Sequence, residues 1–313
     1  MLRVLIQTAG GLLASLLTGA TLAADPTGAD TRPVPAAASA PPAASASPGA
    51  WRAGPGQALL LGEVHDNAAQ HALRLQALAA LLAQDDRPAL LLEPFDRERQ
   101  PAIDLALQAD AAGPTDAPID ARIDAVIAAS GQVAGWHWPL YRPYIGLALQ
   151  HGLPIVAANV SRAESRRIIA LGLGPTGWQP EVPEDISRAQ AAAIERSHCG
   201  QVDAGLAVRL SQAQVARDQF MARMISTHAA RGVVLLAGNG HVRRDIGVPR
   251  WLSPALRARC HVVGFLEPDD HSGSAYDEVV RTAAQPREDP CAQMRRMPAL
   301  PSAQAAQAAP ASR

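Results

Sequence analysis

The chain has 313 residues, of which 48% are hydrophobic and 18% are charged, and its formal net charge at pH 7 is −1. This length and apolar content allow one large domain or two small ones to bury a core. The near-neutral charge, and the lack of a basic stripe along any predicted helix, argue against nucleic acid as a partner. Only 4% of the residues are aromatic, so aliphatic side chains must supply most of the packing.

Residues 1–23 have the features of a secretory signal peptide. Arg3 precedes an apolar stretch at 12–22, and small residues follow at Ala23 and Ala24. The apolar stretch is too short to span a membrane, and no later stretch reaches about eighteen uninterrupted apolar residues. The sequence therefore predicts export to the bacterial periplasm, with no membrane-spanning segment in the mature chain. No cysteine lies near the predicted cleavage site, so a lipid anchor is not expected there.

The remainder of the chain divides by composition. Residues 24–56 and 284–313 are rich in alanine, proline and serine and carry few large apolar side chains. Such segments bury too little surface to offset the entropy lost on ordering, so both are predicted to be disordered. Residues 57–283 form the predicted folded domain. Two parts of it, at about 97–130 and 187–210, are predicted to form a helical lid.

Apolar runs alternate with helical periodicity along the folded domain. The predicted strands are 57–61, 89–92, 153–158, 233–237, 261–266 and 276–282. The first predicted helix follows a cap at Asp66 or Asn67, and another ends near Gln150. The other predicted helices are 97–109, 119–129, 162–171, 187–197, 212–230 and 254–259. Ser161 is the predicted cap of helix 162–171, and Ser211 is that of helix 212–230. Strands joined by helical crossovers predict an α/β fold with a mostly parallel, doubly wound sheet whose last strand lies on an edge.

Polar side chains follow four of the predicted strands at the point where each strand ends. They are Glu63 and His65, Glu93, Asn159, and Asn239 with His241. Because the carboxyl ends of parallel strands meet at one edge of the sheet, here called the rim, these side chains are expected to converge. Two carboxylates and two imidazoles at one rim are able to hold a divalent metal or to act as an acid and base set. The alternative is that each one belongs to an ordinary loop or turn.

Six short motifs occur in order between residues 57 and 268. They are Gly62-Glu63-Val64-His65-Asp66, Leu92-Glu93-Pro94-Phe95, the Trp-Pro-x-Tyr-x-Pro run at 138–143, Ala158-Asn159-Val160-Ser161-Arg162, Gln214-x-x-Arg217-Asp218-x-x-Met221-Ala222 and Gly238-Asn239-Gly240-His241-Val242-Arg243. As a set they resemble the ChaN-like haem-binding family, which shares a superfamily with the Tiki metalloproteases and erythromycin esterase-like enzymes. The resemblance implies an exported haem-binding protein of iron uptake, with an α/β core and a helical lid. It also implies a homodimer, since the best-known member holds haems between two protomers through a tyrosine.

Haem iron takes its axial ligands from histidine, methionine, cysteine or tyrosine. Of the three tyrosines in the chain, two lie three positions apart on one helix face, beside a histidine and two tryptophans. An arginine on the long predicted helix is able to bind a haem propionate through two hydrogen bonds. The residues predicted to bind haem are Tyr141, Tyr144, His137, Arg217, His65 and His241. The alternative for both tyrosines is that they pack the lid onto the sheet.

Two further hypotheses follow from the rim residues. In the first, Glu63, His65, Glu93 and His241 hold Mn, Co or Zn, and the protein is a metal-dependent hydrolase of peptides or esters. In the second, the same residues only hydrogen-bond a small polar ligand, without catalysis. The two differ in that only the hydrolase is expected to contain bound divalent metal.

Three cysteines are present, at Cys199, Cys260 and Cys291. In an oxidising compartment two of the three are expected to pair, and the sequence leaves open which two. None of them has the spacing of a cysteine-built zinc site.

Overall fold

The structure, a computed structural model, describes residues 51–112, 118–289 and 291–292. The predicted signal peptide and most of the two predicted disordered segments lie outside these ranges. Trp51, which was assigned to the first disordered segment, is buried in the core, and its indole donates a hydrogen bond to Glu278 at 2.7 Å. The described body therefore begins at least six residues before the predicted start at residue 57.

Six parallel strands form the sheet. They are β1 (Ala58–Leu61), β2 (Ala89–Asp96), β3 (Ile155–Asn159), β4 (Val233–Leu236), β5 (Cys260–Leu266) and β6 (Glu278–Arg281). Their order is β3-β2-β4-β1-β5-β6, and every neighbouring pair is parallel. The predicted α/β fold is confirmed. The fully buried aliphatic side chains of β1, β2 and β4 explain why the strands could be recognised as continuous apolar runs.

Helices cover both faces of the sheet. Those in the described part of the chain are α1 (Ala68–Ala83), α2 (Gln100–Ala112), α3 (Ile119–Ala129), α4 (Trp138–Gln150), α5 (Arg162–Leu171), α6 (Glu184–Ser197), α7 (Ala204–His228), α8 (Asn239–Val242) and α9 (Pro254–Arg257). Side chains alternate between the faces along β1. Leu59 and Leu61 pack in the core that includes α1 and α4, whereas Leu60 packs in the core that includes Met221 of α7.

Caps explain several of the helix starts. Asn67 accepts a hydrogen bond from the backbone of Gln70 at the start of α1, and Ser161 does the same for Glu164 at the start of α5. The predicted cap at Ser211 is wrong, because α7 begins eight residues earlier, at a cap formed by Asp203. Ser211 lies inside the helix, where its hydroxyl donates to the carbonyl of Val208 at 2.8 Å. Serine forms such local bonds at caps and in helix interiors alike, so its presence alone does not locate a helix start.

The second strand is longer than predicted. The predicted range is 89–92, whereas β2 continues through Pro94 to Asp96. Proline is tolerated there because the pairing with β3 shifts register between Leu92 and Asp96, so its missing N–H breaks no regular ladder. This extension keeps Glu93 within the sheet, at its carboxyl end.

The two predicted lid segments are helical. α2 and α3 pack against each other and, through Ile103 and Ile123, join the core that α4 shares with the sheet. Residues 187–210 cover most of α6 and the first two turns of α7, which pack together as a hairpin. None of the described helices has both the length and the apolar character of a membrane-spanning segment.

The disulfide left open by the sequence joins Cys199 to Cys291. Cys199 follows α6 in the turn before α7, and Cys291 lies close to the end of the described chain. Cys260 is buried as a free thiol in β5, where burial raises the pKa of the thiol to about 12. Its sulfur is therefore protonated and unreactive at neutral pH.

Candidate functional site

The rim gathers side chains from three neighbouring strands. Leu61 of β1 and Leu92 of β2 both pair with Leu236 of β4, so the three strands end at the same level. The backbone N–H of Gly238, just after β4, donates to Oε2 of Glu93 at 2.7 Å. The parallel sheet thus brings together Glu93 and Gly238, which are 145 positions apart in sequence.

Gly62 and Asn239 hold the rim backbone together. A Cβ at Gly62 would lie 2.2 Å from the side-chain oxygen of Asn239, so only glycine permits this approach. The Asn239 amide donates to the carbonyl of Phe265 at 2.6 Å and accepts from its N–H at 3.1 Å. The two motif residues therefore connect the ends of β1, β4 and β5. Asn159 lies apart on the edge strand β3, where it accepts from the N–H of Val160.

Glu63 is the centre of a buried polar network. Its Oε1 accepts hydrogen bonds from Nδ1 of His65 at 2.7 Å and from the hydroxyl of Tyr141. Its Oε2 pairs with the guanidinium of Arg74 and lies 3.2 Å from Nε2 of His71. The side chains of Glu63 and Arg74 are 1% and 0% exposed, so the carboxylate depends on these partners for its charge compensation. Both carboxylate oxygens are occupied, which leaves Glu63 to orient its neighbours.

His65 is oriented by Glu63 and faces the rim. Because Nδ1 donates to the carboxylate, the lone pair is on Nε2. Burial lowers the pKa of His65, so the ring is neutral at neutral pH. The side chain is 27% exposed, and the ring of Trp136 packs against it at a centroid distance of 4.6 Å. His65 thus presents a neutral nitrogen donor whose direction is set by the protein.

His241 lies between two carboxylates. Its Nδ1 is 2.6 Å from Asp218 on α7, and its Nε2 is 3.4 Å from Glu93. Burial would lower the pKa of His241, but the two carboxylates outweigh it and raise this pKa to about 10. Burial likewise opposes ionisation of Glu93, yet the His241 imidazolium and the N–H of Gly238 hold the pKa of this carboxyl well below its usual range. His241 is therefore an imidazolium with both N–H groups donated, and it has no lone pair to offer a metal.

The structure places the two tyrosines of α4 in the core. Tyr141 is 1% exposed and Tyr144 is fully buried, with its hydroxyl 2.7 Å from the carbonyl oxygen of His71. Burial raises the pKa of both phenols, most strongly that of Tyr141. Neither phenol oxygen faces solvent. Instead of facing the rim, the hydroxyl of Tyr141 donates to Glu63 and that of Tyr144 donates to the carbonyl of His71.

The other two predicted haem-binding residues lie on opposite sides of the rim. His137 is exposed, immediately before α4. Arg217 is buried on α7, where its guanidinium donates to Ser165 at 3.1 Å and to Gln214 at 3.0 Å. The guanidinium of Arg217 therefore bonds to other side chains of the protein, whereas the ring of His137 is accessible to solvent.

Within the described ranges, no group of three or more His, Cys, Asp or Glu side chains is placed to hold a metal ion. Two of the four residues of the metal hypothesis pair with other side chains in this structure. Glu63 is paired with Arg74, and His241 is paired with Asp218 and Glu93. His65 is the member of that set that keeps a free ring nitrogen.

Three residues of the network have no role in the sequence prediction, namely Arg74, His71 and Asp218. Arg74 lies on the buried face of α1 with Leu78 and Leu81, and a charged residue in such an apolar stripe is the signal that could have identified it. Asp218 was recognised as part of a motif but was given no role. Its function as the partner of His241 depends on a contact between α7 and the loop after β4, which spacing does not reveal.

Comparisons with known proteins found one matching family model and several similar structures. The family model described as "Haem-binding uptake, Tiki superfamily, ChaN" matches residues 52–252, which include every rim residue except those after β5. ChaN of Campylobacter jejuni, solved with cofacial haem, is 21% identical with a TM-score of 0.56, over 69% of this chain and 83% of that one. The type III effector HopBA1 is 14% identical with a TM-score of 0.39, over 73% and 88%. An erythromycin esterase mutant is 12% identical with a TM-score of 0.39, over 68% and 70%. No curated protein matches the sequence.

Proposed function

Since the chain belongs to the ChaN family of haem-binding uptake proteins in the Tiki superfamily, we propose that it binds haem at the rim through Nε2 of His65. The matched residues 52–252 contain the whole Glu63 network and His241. Haem iron, when bound, would supply a Lewis-acidic centre that accepts the imidazole lone pair.

The hydrogen bond between Glu63 and His65 is the observation that carries this proposal. A ligating histidine commonly donates its other ring N–H to a carboxylate, which fixes the tautomer and makes the ligating nitrogen more basic. At 2.7 Å, the bond from Nδ1 to Glu63 meets that requirement, and it leaves Nε2 as the uncommitted ring nitrogen of a side chain that is 27% exposed. The tyrosines do not meet it, because both phenols are buried and hydrogen-bonded inside the core.

Aromatic side chains beside His65 suit a porphyrin. Trp136 packs edge-on against the imidazole and is partly exposed, and Trp138 stacks on Phe95 at a centroid distance of 5.9 Å. A ligand site needs apolar walls with a few placed polar groups, and this part of the rim supplies both. The neutral state of His65 also favours ligation, since no proton has to leave Nε2 before it binds iron.

A hemin titration tests the proposal. Hemin is added to the haem-free protein. We expect the Soret band of the bound hemin to be shifted and sharper than that of free hemin, and to grow until one equivalent per chain has been added. A Soret band that stays that of free hemin at stoichiometric concentration would overturn the function.

The same sample also tests a second proposal, that the haem-loaded form is a homodimer, which the cofacial haem of the Campylobacter jejuni protein motivates. Sedimentation of the loaded protein as a monomer would contradict the homodimer alone.

We further propose that the protein is exported to the periplasm. The apolar segment at 12–22 with its small-residue exit supports this, as does the disulfide between Cys199 and Cys291, a bond typical of oxidising compartments. The mass of the protein recovered from cells is the test. Cleavage after Ala23 is expected, whereas recovery of the intact chain from the cytoplasm contradicts export.

A further inference from the structure

The chain after β6 runs alongside the start of α1. The amide of Gln70 donates to the hydroxyl of Thr282 at 3.0 Å, and the amide of Asn67 donates to the carbonyl of Ala283 at 2.9 Å. We refer to residues 282–289 together with Cys291 as the strap. Its first part is thus held against the turn that carries His65.

Arg287 fastens the middle of the strap to the rim. Its guanidinium donates to both carboxylate oxygens of Asp66, at 2.7 and 2.6 Å, and to both of Glu267, at 2.8 and 2.7 Å. Asp66 directly follows His65, and Glu267 directly follows β5. The three side chains are 32%, 45% and 16% exposed, so water competes for these ion pairs. Ion pairs of this kind add little stability singly, although the paired geometry makes the attachment specific.

The disulfide ties the far end of the strap to the opposite side of the sheet. α1 covers one face, whereas the α6–α7 hairpin, whose turn contains Cys199, covers the other. Four peptide units separate Arg287 from Cys291 and span at most about 14 Å. The Cα atoms of Cys199 and Cys291 are 5.6 Å apart. A strap anchored at Asp66, after the central strand β1, must therefore cross the carboxyl edge of the sheet to reach the hairpin.

We propose that the strap is a redox-sensitive gate over the rim, closed while Cys199 and Cys291 are bonded and open once a dithiol has reduced them. As a gate on haem entry, it rests on the haem site proposed at His65. In the opening step, one thiolate of the dithiol attacks a sulfur of the protein disulfide and forms a mixed disulfide. Its second thiol then displaces the protein sulfur. The two protein sulfurs gain two electrons and two protons, and the dithiol leaves as its own disulfide.

The gate depends on whether the strap is attached covalently or only by non-covalent contacts. While the bond exists, Arg287 is kept close to Asp66 and Glu267, so broken ion pairs re-form at once. After reduction, non-covalent contacts alone retain the strap, and its end is able to leave the hairpin. Release of Arg287 from Asp66, the residue that follows His65, would open the rim beside His65.

Acylation of His65 by diethyl pyrocarbonate, quantified by peptide mass spectrometry, tests the gate without haem. Nδ1 of this ring is engaged by Glu63, so the reagent must attack Nε2. We expect reduction by dithiothreitol to accelerate labelling of His65 about tenfold, in proportion to the population of open strap. Exposed His151, at the far end of α4, is the internal reference and should react equally in both states.

Variants separate the gate from other effects of reduction. The double change Cys199→Ser with Cys291→Ser should label rapidly without reductant, whereas Cys260→Ser should respond to reductant as the wild type does. Arg287→Ala should speed labelling further in the reduced protein. Arg188→Ala, which removes an exposed arginine that pairs with Glu184 on α6 in the described part of the chain, should not. Equal labelling of His65 in oxidised and reduced protein overturns the gate.

Hemin association measured by stopped flow adds the second test. The reduced protein is expected to bind hemin about tenfold faster than the oxidised protein. If reduction accelerates labelling but hemin does not bind in either state, the gate stands and the haem function fails. If hemin binds both states at equal rates, the strap does not gate haem entry.

Discussion

Replacing Arg74 with methionine is expected to lower the free energy of unfolding by about 3–5 kcal/mol, because it leaves the carboxylate of Glu63 buried without its cationic partner. The side chains of the pair are 0% and 1% exposed, so water cannot take over this role. The remaining partners of Glu63 are the neutral His65 and His71 and the hydroxyl of Tyr141. Burial lowers the pKa of His71 to about 4, so this ring supplies no positive charge at neutral pH. Urea unfolding of the variant and the wild type measures the loss.

A double variant is the matched control for that prediction. Arg74→Met combined with Glu63→Gln removes both charges, so it should recover most of the lost stability. If the free energy of unfolding of the single variant is within about 1 kcal/mol of that of the wild type, the ion pair does not stabilise the network. If the double variant is as unstable as Arg74→Met alone, the loss comes from packing and not from the unpaired carboxylate.

Replacing His65 with alanine is expected to weaken hemin binding by more than about 100-fold. Changing a group that only orients a metal ligand costs about 10–100-fold, so loss of the ligand itself should cost more. The Soret titration that measures affinity also reports ligand type, because phenolate ligation would add a charge-transfer band that imidazole ligation lacks. We expect no such band in the wild type, since both phenols of α4 are buried and the pKa of each is raised.

Two further variants make this result specific. Tyr141→Phe removes the phenol, and His137→Ala removes the exposed histidine beside Trp136. Each is expected to keep hemin affinity within about threefold of the wild type, as usual for a group that makes no contact with the ligand. If either variant loses the Soret shift while His65→Ala keeps it, the ligand assignment is wrong.

The sheet could be predicted because its strands carry a strong local signal. Ala58 to Leu61, Ala89 to Leu92 and Val233 to Leu236 are continuous aliphatic runs, as buried parallel strands require. Convergence at the rim followed from topology, since parallel strands end at one edge. The start of α7 did not follow, because Ser211 and Asp203 are both acceptable caps and the preceding turns carry only a weak apolar stripe.

The rim network shows what local pattern leaves open. Tyr141 and His137 lie four positions apart, next to the same tryptophans, and both were predicted to bind haem. In the structure the first is buried against Glu63 and the second is exposed. Helical spacing placed both near α4, but which one enters the core depends on how α4 packs against α1.

The amino-acid sequence by itself determined the strand order along the chain, the parallel sheet, the family resemblance and the presence of Glu63, His65, Glu93 and His241 at one edge. These properties depend on hydrophobic runs and short motifs, which are local. Only the tertiary structure decided that Arg74 compensates Glu63, that His241 is clamped by Asp218, and that Cys199 pairs with Cys291. Each of these joins separate elements whose distance depends on packing. Because the charge state of an imidazole depends on its nearest partners, the neutral His65 and the cationic His241 could be distinguished only when those partners were in place.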